Sequence, residues 1–176
     1  MENYRYAMGK RGMVASAHSL ISSTGINTLR NNGNAMDAAV SMALTASVVL
    51  PDMCGIGGDA FLLYFDNSTK KVYSLNGSGP MGHHYTLDFF KEKGFVKNPE
   101  HGILSISVPG SISTYMEGLE RFGSKTFKDC SKDAIYYASN GFPIGKKTSD
   151  YIEKKIDVIR KSDALSDRKS TRLNSS

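Results

Sequence analysis

The sequence predicts a mixed α/β protein with helices and strands in layers, and three observations carry that prediction. Residues 35–48 form an almost wholly apolar helical segment, residues 60–75 hold two strand-like runs around a short polar turn, and glycine-rich turns separate these pieces. The 176 residues are 40% hydrophobic, enough for one domain with a core. At 22% charged residues and 17 glycines, the composition fits neither a disordered tail nor a fibrous rod.

Residues 12–16 (GMVAS) read as a short strand. Behind it Ala17, Leu20, Ile21, Thr24, Thr28 and Leu29 recur at helical spacing, and Gly33 closes that helix. Asn34 offers an N-cap with Asp37 in the first turn, and the segment to about Val48 is apolar nearly all round, as for a helix covered on every side. Pro51 stops it, and so complete a burial points to a larger layered protein. CGIGGD (54–59) is a turn, AFLLYF (60–65) and KVYSL (71–75) form a β-hairpin around DNSTK (66–70), and NGSGP (76–80) is the next turn. Thr86 caps a short helix to Lys93 that ends at Gly94. The alternating ILSISV (103–108) predicts a strand ended by Pro109-Gly110, and helices follow over 112–122, 127–139 and, more polar and exposed, 149–160. The final DRKSTRLNSS (167–176) has no periodicity and reads as a translated cloning scar or a flexible tail. The expected organisation is an N-terminal extension over 1–11, a domain portion over 12–166 and that tail.

The formal charge of +5 could suggest a nucleic-acid partner, but residues 146–176 hold nine Lys/Arg against five Asp/Glu, which leaves the rest nearly neutral. No basic face interleaved with aromatics precedes that segment, so no nucleic-acid partner is expected. The most apolar stretch carries Asp37 and falls short of the ~20 residues a membrane span needs, so no membrane partner is expected either. MENYRYAMGKRGMV has no apolar run behind its charges, and the location expected from it is cytoplasmic. Cys54 and Cys130 have no Cys or His at metal-ligand spacing and read as reduced core thiols.

Few motifs carry chemistry by themselves. Gly55, Gly57 and Gly58 follow a helix and precede a strand, the reverse of a phosphate-cradling loop, and no Lys-Ser/Thr pair follows. They read as a tight turn that uses positive φ or close backbone approach, with Asp59 bonding loop amides and keeping the loop rigid. Asn76, Gly77, Ser78 and Gly79 sit at the hairpin exit, where loops present polar groups to ligands, although all four are also ordinary turn residues. His83-His84 points its side chains to opposite faces of an extended segment, which suits no single metal ion. No serine lies in a G-x-S-x-G elbow, and no nucleophile can be placed from spacing.

Taken together, NGNAMDAA (32–39), GIGGD (55–59), LNGSG (75–79), HGILSISVPGSIS (101–113), LERFG (119–123) and AIYYASNGFPI (134–144) resemble the γ-glutamyltranspeptidase family and its acylase-like relatives, over about residues 12–160. The resemblance implies an N-terminal-nucleophile hydrolase: an αββα sandwich of two stacked sheets between helical layers, incomplete in this chain. It implies a precursor that cuts itself ahead of a threonine, whose freed α-amino group activates its own hydroxyl to form an acyl-enzyme. That threonine and the oxyanion-hole glycines belong to the C-terminal small subunit, so this chain holds no catalytic residue and is expected to be inactive alone. The implied partners are the small subunit of the same precursor and a γ-glutamyl or other acyl amide; no metal or organic cofactor is implied. In typical members the hairpin exit carries an arginine that holds the substrate α-carboxylate, and Ser78 stands in its place here. The NGSG turn is similar to the acylase-like branch, where glutaryl-type acyl groups are the alternative to γ-glutamyl. Two other readings stay open: a family member without catalysis, and a free-standing binding or structural domain.

Overall fold

The computed structural model describes residues 7–100 and 102–161, so the predicted tail over 167–176 lies outside the described residues. Helix α1 (Ser19–Arg30) starts where His18 Nδ1 accepts from the Leu20 amide at 3.2 Å. Helix α2 (Ala35–Val49) starts at a capping box, with Asn34 Oδ1 accepting from the Met36 and Asp37 amides while Asp37 Oδ2 accepts from the Asn34 amide. It ends at Leu50, one residue before Pro51, as predicted.

Strands β1 (Ala60–Asp66) and β2 (Lys71–Gly77) pair antiparallel from Asp66↔Lys71 to Ala60↔Gly77. Asp66 ties their turn by accepting from the Ser68 amide and the Ser68 and Thr69 hydroxyls. Helix α3 (Leu87–Glu92) is capped by the Thr86 hydroxyl, and Gly94 follows at φ +77°. Helices α4 (Ser111–Phe122), α5 (Phe127–Cys130), α6 (Lys132–Asn140), α7 (Lys146–Lys154) and α8 (Ile156–Arg160) complete the described residues. The two predicted C-terminal helices are thus each broken once, at Ser131 and at Lys155, and the second begins at Lys146 rather than at 149.

The core lies between α2 and its neighbours. Met36, Val40 and Leu44 of α2 pack with Leu119 of α4, Cys130 and Ala134, and Leu62 and Tyr64 of β1 close over them. Burying a side chain such as Leu44 contributes roughly 1.5–3 kcal/mol. Phe122 at the end of α4 stacks on Tyr64 at 4.5 Å and meets Tyr73 at 4.9 Å, which holds the hairpin on the helices. The opposite sheet face is bare: Phe61, Leu63, Phe65 and Val72 are 72%, 79%, 57% and 68% exposed.

Four expectations are corrected. Residues 12–16 are not a strand; they have no ladder partner among the described residues and run past α1 and α2, where Val14 approaches Gly25. Residues 103–108 are not a strand either: Ile103–Ser105 form a 3₁₀ turn, and Val108 donates its amide only to Pro80 O, at 3.3 Å. Alternation predicts a pleat but cannot supply the neighbouring strand that a ladder requires. Helix α2 is not covered all round, since Ala35 and Ala39 are exposed beside a groove of about 580 Å³. Cys130 is buried as expected, whereas Cys54 is exposed. Among the described residues, no helix is long and apolar enough to cross a membrane.

Candidate binding turn at the hairpin exit

The strand register builds the site. Because Ala60 pairs with Gly77, the residue ahead of β1 lies beside the residues that follow β2, so Asp59 meets the turn at 78–80. Asp59 Oδ1 accepts from the Ser107 hydroxyl at 2.8 Å and from the Gly79 amide at 3.4 Å. One carboxylate oxygen therefore joins three segments: the glycine loop, the hairpin exit and the stretch leading into α4.

Two glycines make the approach possible. A Cβ on Gly79 would strike the carbonyl group of Val108, and one on Gly110 would strike Gly77 O. The expected turn begins later than predicted, since Asn76 and Gly77 are the last residues of β2. Gly77 is buried, Gly79 is half-buried, and Asn76 and Ser78 are exposed. Asn76 Oδ1 accepts from the Ser78 amide at 3.0 Å, and among the described residues the Ser78 hydroxyl makes no hydrogen bond.

The glycine loop works through its carbonyls, not through bonds from its amides to Asp59. Gly58 O accepts from the Gly110 and Ser111 amides, both at 3.0 Å, and Ile56 O accepts from the Ser111 hydroxyl at 2.7 Å. The amides of the N-cap and of the first residue of α4, which has no side-chain cap, are satisfied in this way. Gly55, Gly57 and Gly58 have open space where a Cβ would stand and no positive φ, so the expected reason for these glycines is not found within the described chain. Asp59 bonds the hairpin exit and the stretch ahead of α4 rather than its own loop.

Sequence reasoning missed Ser107, Val108, Gly110 and Ser111, because Pro109-Gly110 reads as a strand terminator. The signal present was the proline-glycine pair itself, standing ahead of a helix without a cap residue. His83 and His84 are exposed on a loop, and no group of three His, Cys, Asp or Glu that could hold a metal occurs among the described residues. The turn thus leaves the neutral Ser78 hydroxyl at an exposed position, with the Ser78 amide donated to Asn76 and the Gly79 amide to Asp59.

A sequence profile described as gamma-glutamyltranspeptidase matches residues 21–171. The chain is 39% identical over 153 residues to a glutathione hydrolase-like proenzyme (YwrD) of Bacillus subtilis, covering 86% of this chain and 29% of that protein. In structure it is similar to Helicobacter pylori gamma-glutamyltranspeptidase, with a TM-score of 0.84 and 26% identity over 92% of this chain and 47% of that one. It is also similar to cephalosporin acylase from Bacillus halodurans, with a TM-score of 0.78 and 29% identity over 92% of this chain and 31% of that one. The chain thus spans under half the length of each protein it matches here. The incomplete mixed α/β fold expected from the sequence agrees with these neighbours.

Proposed function

The chain belongs to the γ-glutamyltranspeptidase family, and from that premise we propose that it is the N-terminal part of the large subunit of an amide-bond acyltransferase and hydrolase. In this reading the hydroxyl of a threonine of the C-terminal part attacks the acyl carbonyl while its α-amino group takes the hydroxyl proton, and that proton passes to the departing amine as the C–N bond breaks, leaving a threonine ester. Water or an amine then accepts the acyl group from the threonine ester. Residues 12–166 supply no reacting group and serve the reaction through the turn Asn76–Gly79. The carrying observation is the family match across 21–171, and the geometry of the turn adds to it.

Ser78 directs the specificity proposed. A serine hydroxyl cannot replace a bidentate guanidinium on a carboxylate, and an uncompensated loss of that kind costs about 2–5 kcal/mol. Arg121 does not stand in for it: its guanidinium is bonded to Glu117 at 3.0 Å and lies over Tyr73 and Phe122. Tyr73 is four residues from Gly77, roughly 13 Å along the strand. A γ-glutamyl and a glutaryl amide carry the same distal carboxylate and differ in the α-amino group alone, so the donor favoured on this ground is an acyl amide whose chain ends without a carboxylate, such as a pentanoyl amide.

The test is to recover the full reading frame, follow self-cleavage by intact mass, and compare hydrolysis of a γ-glutamyl anilide, which carries the distal carboxylate, with that of a pentanoyl anilide, which does not. Cleavage into two subunits with preferential pentanoyl turnover supports the whole reading. Strong γ-glutamyl turnover would move the carboxylate contact to another residue, and an uncleaved, inactive chain would refute the enzyme.

A further inference from the structure

Asp59 is an exposed carboxylate that the proposed chemistry leaves unused, yet it joins the three segments around the binding turn. We infer that Asp59 is a positioning residue for the substrate turn, acting through Gly79 and Ser107 to fix where Ser78 stands. The inference rests on the reading of Asn76–Gly79 as the binding turn and adds the residue that sets its geometry.

Ser78 is held from both sides. Upstream, the Asn76 side chain accepts its amide at 3.0 Å. Downstream, the Gly79 amide is held by Asp59 at 3.4 Å, and the Pro80 carbonyl accepts from the Val108 amide at 3.3 Å. Val108 follows Ser107, which gives its hydroxyl to the same Asp59 oxygen at 2.8 Å. Gly79 packs against the Val108 backbone with no room for a side chain, so the turn cannot move without carrying the 107–110 segment with it. That segment is anchored in turn, because the Gly110 and Ser111 amides both donate to Gly58 O, one residue ahead of Asp59. The connections form a closed circuit from Gly58 through Asp59, Gly79, Val108 and Gly110 back to Gly58.

A carboxylate suits this post because it only accepts, so neither donor meets a competing N–H. Both bonds end on Oδ1, which predicts that an asparagine amide oxygen can take the same place. A turn that binds the acyl group away from the scissile bond contributes equally to ground and transition states, so its loosening raises KM and leaves kcat.

The experiment uses the full-length protein, wild type and as D59A, D59N and S107A, with KM and kcat on whichever anilide the wild type prefers. Hydrogen exchange of the 76–81 segment is measured on the same samples. The expected results are a KM roughly 10-fold higher for D59A with kcat within about 3-fold, a smaller rise for S107A, and a D59N protein close to wild type. Exchange at 76–81 should be roughly 10-fold faster in D59A and little changed in D59N. D59A equal to wild type in exchange overturns the inference. So does an equal loss of kcat in D59A and D59N, which would give the charge itself a part in the chemistry. If the wild type turns over neither anilide, the functional reading fails while exchange still decides the role of Asp59. If D59A does not accumulate, the S107A and D59N results decide.

Discussion

Replacing Asp37 with alanine should loosen the junction between α2 and the loop after α4 more than any surface change. Asp37 is fully buried and accepts four hydrogen bonds: from the Asn34 amide at 2.7 Å, the Ser124 hydroxyl at 2.6 Å, the Ser124 amide at 2.9 Å and the Lys125 amide at 3.0 Å. Bonds to a charged acceptor contribute about 1.5–3 kcal/mol each, which sets a gross value of roughly 6–12 kcal/mol. Burying the carboxylate offsets part of that, and Ser124 is exposed enough for water to serve some donors, so the net loss expected is about 3–5 kcal/mol. Burial pushes the Asp37 carboxyl up, but the bonds from Ser124, Asn34 and Lys125 outweigh it and hold it below its ordinary value of 3.8. A depressed carboxylate contributes stability that is complete above its unfolded value and is lost as pH falls through the folded one. The contribution should therefore be steady at neutral pH and fade only below about pH 4. Amide exchange of the 122–127 segment in the full-length protein is the assay, because it reads this junction without assuming one unfolding transition. In D37A that segment should exchange roughly 100-fold faster or more, with a smaller effect in D37N, which keeps one accepting oxygen. Unchanged exchange in D37A, or a protective effect that strengthens below pH 4, would refute the reasoning.

Gly79→Ala should cost the full-length protein its proposed acyl-amide activity, or its accumulation, since the new Cβ meets the Val108 carbonyl; Gly57→Ala, placed in open space, should be mild, and relative yield and turnover check both. The thiols should separate under alkylation of the folded protein. Cys54 is exposed and should react, whereas Cys130 is buried and its thiol is pushed up chiefly by that burial, so mass spectrometry should find Cys130 modified only after denaturation.

Local signals in the sequence carried the elements that close on themselves. The Asn34 cap with Asp37 in the first turn, the Thr86 cap with Gly94 beyond it, and the hairpin over 60–75 each depend on residues a few positions apart, and each stands where the sequence predicts it. Elements that depend on a distant neighbour were not legible: 12–16 and 103–108 have the pattern of strands but no ladder partner among the described residues. The same division holds in the site. Asn76–Gly79 was legible as a polar turn, but its union with Ser107 and Gly110 was not, because nothing local says that residues about 30 positions apart share one carboxylate. The glycine loop differs in the opposite sense, since its residue types predict backbone freedom while its carbonyls meet the start of a helix more than 50 positions away.

The bare face of the hairpin bears on the free-standing alternative. A strand pair that faces water on one side alternates apolar with polar residues, and β2 does so through Ser74 and Asn76. β1 does not: AFLLYF is apolar at every position, so Phe61, Leu63 and Phe65 point outward while Leu62 and Tyr64 point to α4 and α2. Such a run is written for a strand covered on both faces, and a two-stranded sheet alone is marginal in water. In a free-standing domain Phe61, Leu63 and Phe65 would stay open to water. The register adds a direction, because Asn76 pairs with Phe61 and so lies on that outer face, one residue before the Gly77–Ser78 exit. A second layer laid against the phenylalanines at the usual sheet spacing of about 10 Å would reach the binding turn from the same side. The proposed partner would then both cover the apolar face and bring its reactive group to the Ser78 side of the turn.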